Sequence, residues 1–203
     1  MKKFFAIISA LMLTFTAYAQ DDEVGKFTVQ PMVGLSTCSA FNSSYQAGGE
    51  VQAHTGLGFA LGADLGYRAS QLFYPTVGIY YIQSQVNFDL GRHDGNISTG
   101  NLAIPVLANF DLSGLRLGVG VQPTFNLSKS ANDMSLFPNV KNGIKSTAIA
   151  VPVVLGYELN NGLTFEYRLA LDVTKSVDYS FEGAYLRTNN LTSLFTIGYK
   201  FKM

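Results

Sequence analysis

The end of the chain alternates apolar and polar residues in a pattern that permits few folds. In residues 190–201 the odd positions carry mostly large apolar side chains, and the even positions carry mostly small or polar ones. A period of two indicates a β-strand whose two faces meet different surroundings. Left unpaired, such a strand would present an exposed edge. We therefore expect it to pair with the first strand of the mature chain and to close a barrel.

The same alternation recurs upstream, and together with the closing strand it predicts eight strands. They cover residues 26–37, 55–67, 72–90, 101–110, 115–128, 147–159, 163–174 and 190–201. Beyond Ile82 the apolar phase of the third strand moves to even positions, which suggests a bulge or a rise above a membrane. Long and short connections alternate, as in outer-membrane barrels with short periplasmic turns and longer outer loops. The predicted fold class is all-β, an eight-stranded antiparallel up-and-down transmembrane β-barrel.

The first residues predict export. Lys2 and Lys3 precede an apolar run that ends at Ala17-Tyr18-Ala19, the pattern of a cleaved secretory signal peptide over residues 1–19. Residues 20–203 then form a single outer-membrane barrel domain. Without the leader, 12 basic residues face 14 acidic ones, so no basic field for nucleic acid exists. Cys38 is the only cysteine, which excludes an intramolecular disulfide.

The second face of the strands distinguishes a membrane barrel from a soluble one. A lipocalin-like barrel would turn its apolar face inward and show water a surface rich in lysine and glutamate. Here the second face carries glycine, alanine and threonine with occasional charges, and charged residues make up only 14% of the chain, where about a quarter is usual. Small residues with a few polar ones suit a narrow eight-stranded lumen. We therefore expect the apolar face to meet lipid.

Two stretches resemble a known family. The run Asn101-Leu102-Ala103-Ile104-Pro105-Val106-Leu107 is similar to the fourth strand of the PorT-like outer-membrane β-barrel proteins of Bacteroidetes, and residues 190–201 are similar to that family's last strand. The resemblance implies an outer-membrane barrel with no shared catalytic residues and an accessory role in protein export or assembly. The chain departs from the pattern at Lys202-Met203, which follow the terminal aromatic residue.

Alternation assigns two sets of side chains to the barrel. Charged side chains on the inward face predict either an ion path or, as we favour, a salt-bridged plug that fills the lumen. These lumen residues are Asp64, Arg116, Glu158, Glu166, Arg168, Asp172 and Lys200. Aromatic residues near the short turns predict a periplasmic girdle. They are Tyr67, Phe73, Tyr157, Phe165, Tyr199 and Phe201.

The outer rim offers few residues for chemistry. His54, His93 and Asp94 are candidates for a metal site, and together with Ser98 they are the candidates for a lipid-hydrolysing or proteolytic site, but their spacing matches no known motif. We expect no catalytic, metal or cofactor-binding residues and no cofactor. The expected function is a non-enzymatic outer-membrane barrel whose outer loops 38–54, 129–145 and 175–189 bind a protein or glycan or serve envelope integrity. An accessory role in export and an enzyme acting on lipid at the rim remain the alternatives.

Overall fold

The computed structural model describes residues 24–46, 52–89, 94–132, 140–181 and 184–203. The predicted signal peptide and His93 lie outside these residues. The strands are β1 (Phe27–Gln46), β2 (Gln52–Tyr67), β3 (Phe73–Asp89), β4 (Asp94–Ala103), β5 (Val106–Leu112), β6 (Leu115–Asn132), β7 (Thr147–Glu158), β8 (Leu163–Asp172), β9 (Val177–Phe181), β10 (Ala184–Tyr199) and β11 (Phe201–Lys202). A short 3-10 helix covers Val140–Gly143. None of the described helical residues forms a helix long and apolar enough to span a membrane.

The strands form a closed antiparallel barrel with eight wall-spanning segments, as predicted. We call each of these segments a stave, and a stave consists of one strand or of two consecutive strands. β4 and β5 make one stave that is interrupted at Ile104 and Pro105, because proline donates no ladder hydrogen bond. β10 and β11 make the last stave, and β9 adds a short hairpin at its outer end. β1 pairs with β10 from Met32↔Gly198 upward and with β11 below. The expected pairing of the closing strand with the first strand is therefore confirmed.

The outward face of the barrel is apolar, as the alternation predicted. Along every stave large hydrophobic side chains point away from the lumen and are exposed; examples are Leu35, Leu61, Ile79, Val121, Leu155 and Phe195. A continuous apolar surface of this size is rare on water-soluble monomers and marks contact with a membrane or a partner. Because it encircles the barrel, it matches the lipid-facing band of a transmembrane barrel.

Several strands run further outward than predicted. β1 continues to Gln46, β4 begins at Asp94, β6 continues to Asn132, and β10 begins at Ala184. Much of the predicted loops 38–54 and 175–189 is therefore ladder, and the β1–β10 pairing continues to Gln46↔Tyr185. Beyond the apolar band the outward face meets water, while the inward face packs against apolar side chains in the outer lumen. The apolar alternation that revealed the strands is therefore lost there, although the backbone pairing is kept.

The third strand shows no bulge against its neighbour β4. The register from Tyr80↔Ala103 to Asp89↔Asp94 is regular, and Ile82 and Val86 both face inward. The apolar phase moves because the outer lumen is itself apolar. A rise above the membrane therefore agrees with the structure. A register shift is present at this height as well, but it lies against β2, between Thr55↔Val86 and Ala60↔Ile82, and its extra residue belongs to β2.

Glycines on the inward face make room for tyrosine rings. A Cβ atom added at Gly62 or Gly78 would collide with the ring of Tyr80, and one added at Gly66 would collide with the ring of Tyr74. Both rings are buried and cross the lumen. At these three positions the second face is small because a neighbouring tyrosine ring occupies the space that a side chain would need.

We predict that Gly62→Val destabilises the barrel by about 1–3 kcal/mol, the usual cost of overpacking a filled interior. The neighbouring Ala63→Val is the matched control, because Ala63 lies on the outward face where an added methyl group meets lipid. Urea unfolding of the barrel in lipid vesicles, followed by gel mobility, measures both changes. Equal stability of the two variants would contradict the close packing of Tyr80 on Gly62.

Candidate functional site

Arg168 lies at the centre of the lumen. β8 places it on the inward face, and its side chain is only 1% exposed. Nη2 of Arg168 donates to Oε1 of Glu166 at 2.7 Å and to Oδ2 of Asp64 at 3.3 Å. The guanidinium carbon lies 4.5 Å from the centroid of the Tyr80 ring, close enough for a cation–π contact. One cation thus joins residues from three strands across the barrel.

Arg116 extends this network toward the short turns. It binds the second oxygen of Glu166, and its Nη1 donates to Oε1 of Gln30 at 3.2 Å. Nε2 of Gln30 in turn donates to Oγ1 of Thr164 at 3.0 Å. Glu166 is therefore held by two arginines, whereas Asp64 forms an ion pair with Arg168. We define the central plug as Asp64, Arg116, Glu166 and Arg168. Its two positive and two negative charges balance.

A second ionic layer lies nearer the short turns. Lys200 forms an ion pair with Glu158, and Nζ of Lys202 lies 3.6 Å from Oε1 of the same carboxylate. Nζ of Lys200 also lies 4.7 Å from the centroid of the Tyr74 ring. The structure thus brings six of the seven predicted lumen residues into two adjacent layers.

The seventh predicted lumen residue, Asp172, does not join the plug. It lies at the opposite, outer end of β8, where the hydroxyl of Ser176 donates to its carboxylate. Nδ2 of Asn189 donates to its backbone oxygen at 2.9 Å. Asp172 and Glu166 share the inward face but are six positions apart, or about 20 Å along a strand. Alternation predicts the face of a residue correctly but not which residues meet.

Other lumen residues were not predicted from the sequence. Nη1 of Arg68 lies 2.6 Å from Oδ2 of Asp111, and both side chains are nearly buried. Arg68 follows the end of β2 and lies outside the strands predicted from the sequence. Asp111 lies on the inward parity of β5. Tyr74 and Tyr80 are also inward, where their parity places them. Inward parity along β3 could have identified the two tyrosines, and inward parity continued one residue past the predicted strands could have identified Arg68 and Asp111.

The outer end of the lumen is closed by apolar side chains. We define the outer cap as the buried cluster of Cys38, Val86, Ile97, Ile144, Val177, Tyr179 and Leu186. Ile144 reaches it from the segment before β7 and is bridged to Val177 of β9. Nζ of Lys129 holds that segment by donating to the backbone oxygen of Ile144 at 2.6 Å. Cys38 therefore lies inside a packed cluster, not in a loop.

A small cavity separates the outer cap from the middle of the barrel. Its volume is about 50 Å³, and Asn101, Asp172 and Thr188 are among the residues that line it. A cavity needs only about 10–15 Å³ of such volume to hold one water molecule, so this space has room for a few waters. It is too small for a metabolite.

The two rim candidates for catalysis or metal binding that the structure describes, His54 and Ser98, lie apart from each other. His54 is exposed on β2 opposite Asn87, and Ser98 lies on β4 opposite Gln85. β3 runs between them and their partners on it are two positions apart, so their backbones are about 12 Å apart. His93 and the side chain of Asp94 lie outside the described part of the chain. Among the described residues no cluster of histidine, cysteine and carboxylate side chains could hold a metal ion.

The predicted girdle residues lie at the short-turn end of the barrel wall. Tyr67, Phe73 and Tyr157 are exposed outward, whereas Phe165, Tyr199 and Phe201 are partly covered. The structure adds two aromatic residues that the sequence analysis did not place in this ring. Phe27 stacks on Tyr67 with centroids 5.0 Å apart, and Phe110 contacts Phe73 at 5.8 Å.

Comparison with known proteins supports the fold. No family model matches the chain, and no curated protein is similar to it in sequence. Among solved structures, the outer membrane protein OprG from Pseudomonas aeruginosa matches with a TM-score of 0.53 and 14% identity, over 88% of this chain and 97% of that chain. The outer membrane protein AlkL matches with a TM-score of 0.47 and 15% identity, over 91% and 93% of the two chains. Ail of Yersinia pestis, solved with the heparin analogue sucrose octasulfate, matches with a TM-score of 0.45 and 12% identity, over 88% and 100%.

Proposed function

We propose that this chain is a non-enzymatic integral outer-membrane β-barrel with a plugged lumen that acts through its outer end. The observation that carries the proposal is the filling of the lumen at two heights. The central plug fills the middle with paired charges, and the outer cap closes the outer end with packed apolar side chains. A barrel closed in this way has its wall and its outer surface available for interaction.

Three features support the outer-membrane location. The outward face is apolar around the barrel. An eight-stranded closed barrel satisfies all backbone polar groups without water, which hydrocarbon requires. The fold is that of OprG, an outer membrane protein. The lipid of the outer membrane is therefore the first proposed partner.

The outer end is the proposed site of action. β1, β3, β6 and β10 carry paired strands beyond the apolar band and form a collar above the membrane. This collar presents polar side chains on a rigid support, which suits a protein or glycan ligand and suits a role in envelope integrity. The accessory role in export rests on the PorT-like resemblance, and no contact in the described residues favours it.

We predict that the reconstituted protein gives no large, steady channel in planar bilayers, because the central plug and the outer cap both block the lumen. Conductance recordings test this, and an open porin of known conductance serves as the positive control. Large ohmic steps would contradict the plugged lumen. Release of fatty acid from added lipid would instead favour the rim enzyme.

A further inference from the structure

A cluster of charges lies on the outward face just above the apolar band. Arg187 of β10 lies directly opposite Asp178 of β9, and its Nε lies 3.1 Å from Oδ1 of that carboxylate. Nζ of Lys145 lies 3.4 Å from the other oxygen of Asp178. Their neighbours Val177 and Leu186 point into the outer cap, so Asp178 and Arg187 point away from the lumen. The cluster therefore faces the surroundings of the barrel wall, not its mouth.

The cluster carries an excess of positive charge. Its limited burial acts to raise the pKa of Asp178, but the hydrogen bond from Lys145 and the charges of Lys145, Lys175 and Arg187 outweigh it, so that the pKa is lowered. Asp178 is thus ionised at neutral pH. Lys145 and Arg187 contact this carboxylate, and Lys175 is close enough for its charge to act on it. The three cations exceed the one carboxylate by two positive charges among these described residues. Lys145 and Arg187 are each about half exposed and remain accessible to an anion.

The height of the cluster matches the level of lipid headgroups. Arg187 lies twelve positions before Tyr199 in the same strand and on the same face. For a strand tilted by about 40° this corresponds to a rise of roughly 30 Å. The apolar band of an outer-membrane barrel is about 25 Å tall, so Arg187 lies about 5 Å beyond it. On the same face, Leu191 and Phe195 lie below Arg187 in the band.

We propose that Lys145, Lys175 and Arg187 form a binding site on the barrel wall for a phosphate group of an outer-leaflet lipid. This inference rests on the outer-membrane location proposed above. Acyl chains of the lipid pack on the apolar wall below, while the phosphate accepts hydrogen bonds from the guanidinium and ammonium groups. Asp178 holds two of the three cations in place and leaves their net charge positive. The lipid is recognised by its phosphate and by its position at the wall.

The test measures retention of diphosphoryl lipid A by the full-length barrel folded in detergent, with labelled lipid counted after gel filtration. Lys175→Gln combined with Arg187→Gln is expected to weaken retention by about 25-fold, at roughly fivefold for each basic residue near a charged membrane surface. Lys26→Gln combined with Lys202→Gln removes the same charge at the short-turn end and is expected to leave retention unchanged. Monophosphoryl lipid A should bind more weakly than the diphosphoryl form.

Two results would overturn the inference. One is equal retention by the two double variants, which would show that overall charge alone attracts the lipid. The other is complete displacement of the lipid by inorganic phosphate at equal phosphate concentration, which would show a site for free phosphate instead. If the chain failed to fold into detergent or lipid at all, the outer-membrane location would fail. If the barrel folds but retains monophosphoryl and diphosphoryl lipid A equally well, the lipid site is refuted and the outer-membrane location is not affected.

Discussion

Replacing Arg168 with leucine is expected to lower the free energy of unfolding of the barrel by about 3–5 kcal/mol, the usual cost of breaking a buried ion pair from one side. The substitution leaves Asp64 buried without the cation that lies 3.3 Å from it. Glu166 loses only one of its two cations, because Arg116 still binds its second oxygen. The ring of Tyr80 also loses the cation that lies over its face.

A second substitution separates the loss of charge from the loss of packing. Asp64→Asn removes the carboxylate that Arg168→Leu leaves unpaired. The double variant is therefore expected to be more stable than Arg168→Leu alone. Equilibrium unfolding in urea, followed by the shift between folded and unfolded gel mobility, gives all four corners of the double-mutant cycle. Arg168→Lys should fall between wild type and leucine, because it keeps the charge but loses the planar fork that bridges two carboxylates.

An exposed arginine provides the comparison for Arg168. Arg187 is about half exposed, and its ion pair with Asp178 meets water, so Arg187→Leu should change stability by no more than about 1 kcal/mol. If Arg168→Leu were equally mild, the central plug would not be a buried network. If the double variant were no more stable than Arg168→Leu alone, Arg168 would act through packing alone.

The strands inside the apolar band could be predicted from sequence, because lipid on one side and a narrow lumen on the other impose a strict alternation. In β8 the alternation of Glu166, Arg168 and Ala170 with apolar neighbours fixes the face of every residue. Above the band that contrast disappears. Residues such as Ser39 and Ala40 continue the β1 ladder against Leu191 and Asn190, but nothing in their order distinguishes them from a loop.

The sequence predicts which residues face the lumen, but it does not predict how far up the barrel each of them lies. Asp64 and Arg168 are 104 positions apart in the chain, and their contact depends on the stagger of six strands around the barrel. A sequence shows parity within each strand, whereas stagger follows from the pairing between strands. For the same reason Asp172 was grouped with the plug although it lies at the outer end. The pair of Arg68 and Asp111 was missed because each residue lies one position beyond a strand predicted from the sequence, 55–67 and 101–110.

Leu169 is the neighbour of Arg168 on the opposite face, and it gives the sharpest test of which face meets lipid. It points outward from β8, six positions above Leu163 at the short-turn end, or roughly 15 Å up a tilted strand and close to mid-membrane. Leu169→Arg places a charge in hydrocarbon there and is expected to cost about 2–4 kcal/mol. Leu163→Arg, on the same face near the interface, should cost only about 0–1 kcal/mol.

The cost of arginine on the outward face therefore depends on depth if the face meets lipid, and a soluble barrel would show no such dependence. Urea unfolding of both variants in vesicles measures the difference.

A spin label at Leu169→Cys, in a Cys38→Ser background, adds a direct readout of the surroundings of this position. Dissolved oxygen should relax it strongly and a polar nickel complex weakly, whereas a label at Asn160→Cys in the short turn should show the reverse. If the polar complex reaches position 169 and oxygen does not, the apolar face does not lie in lipid, and the outer-membrane location is wrong.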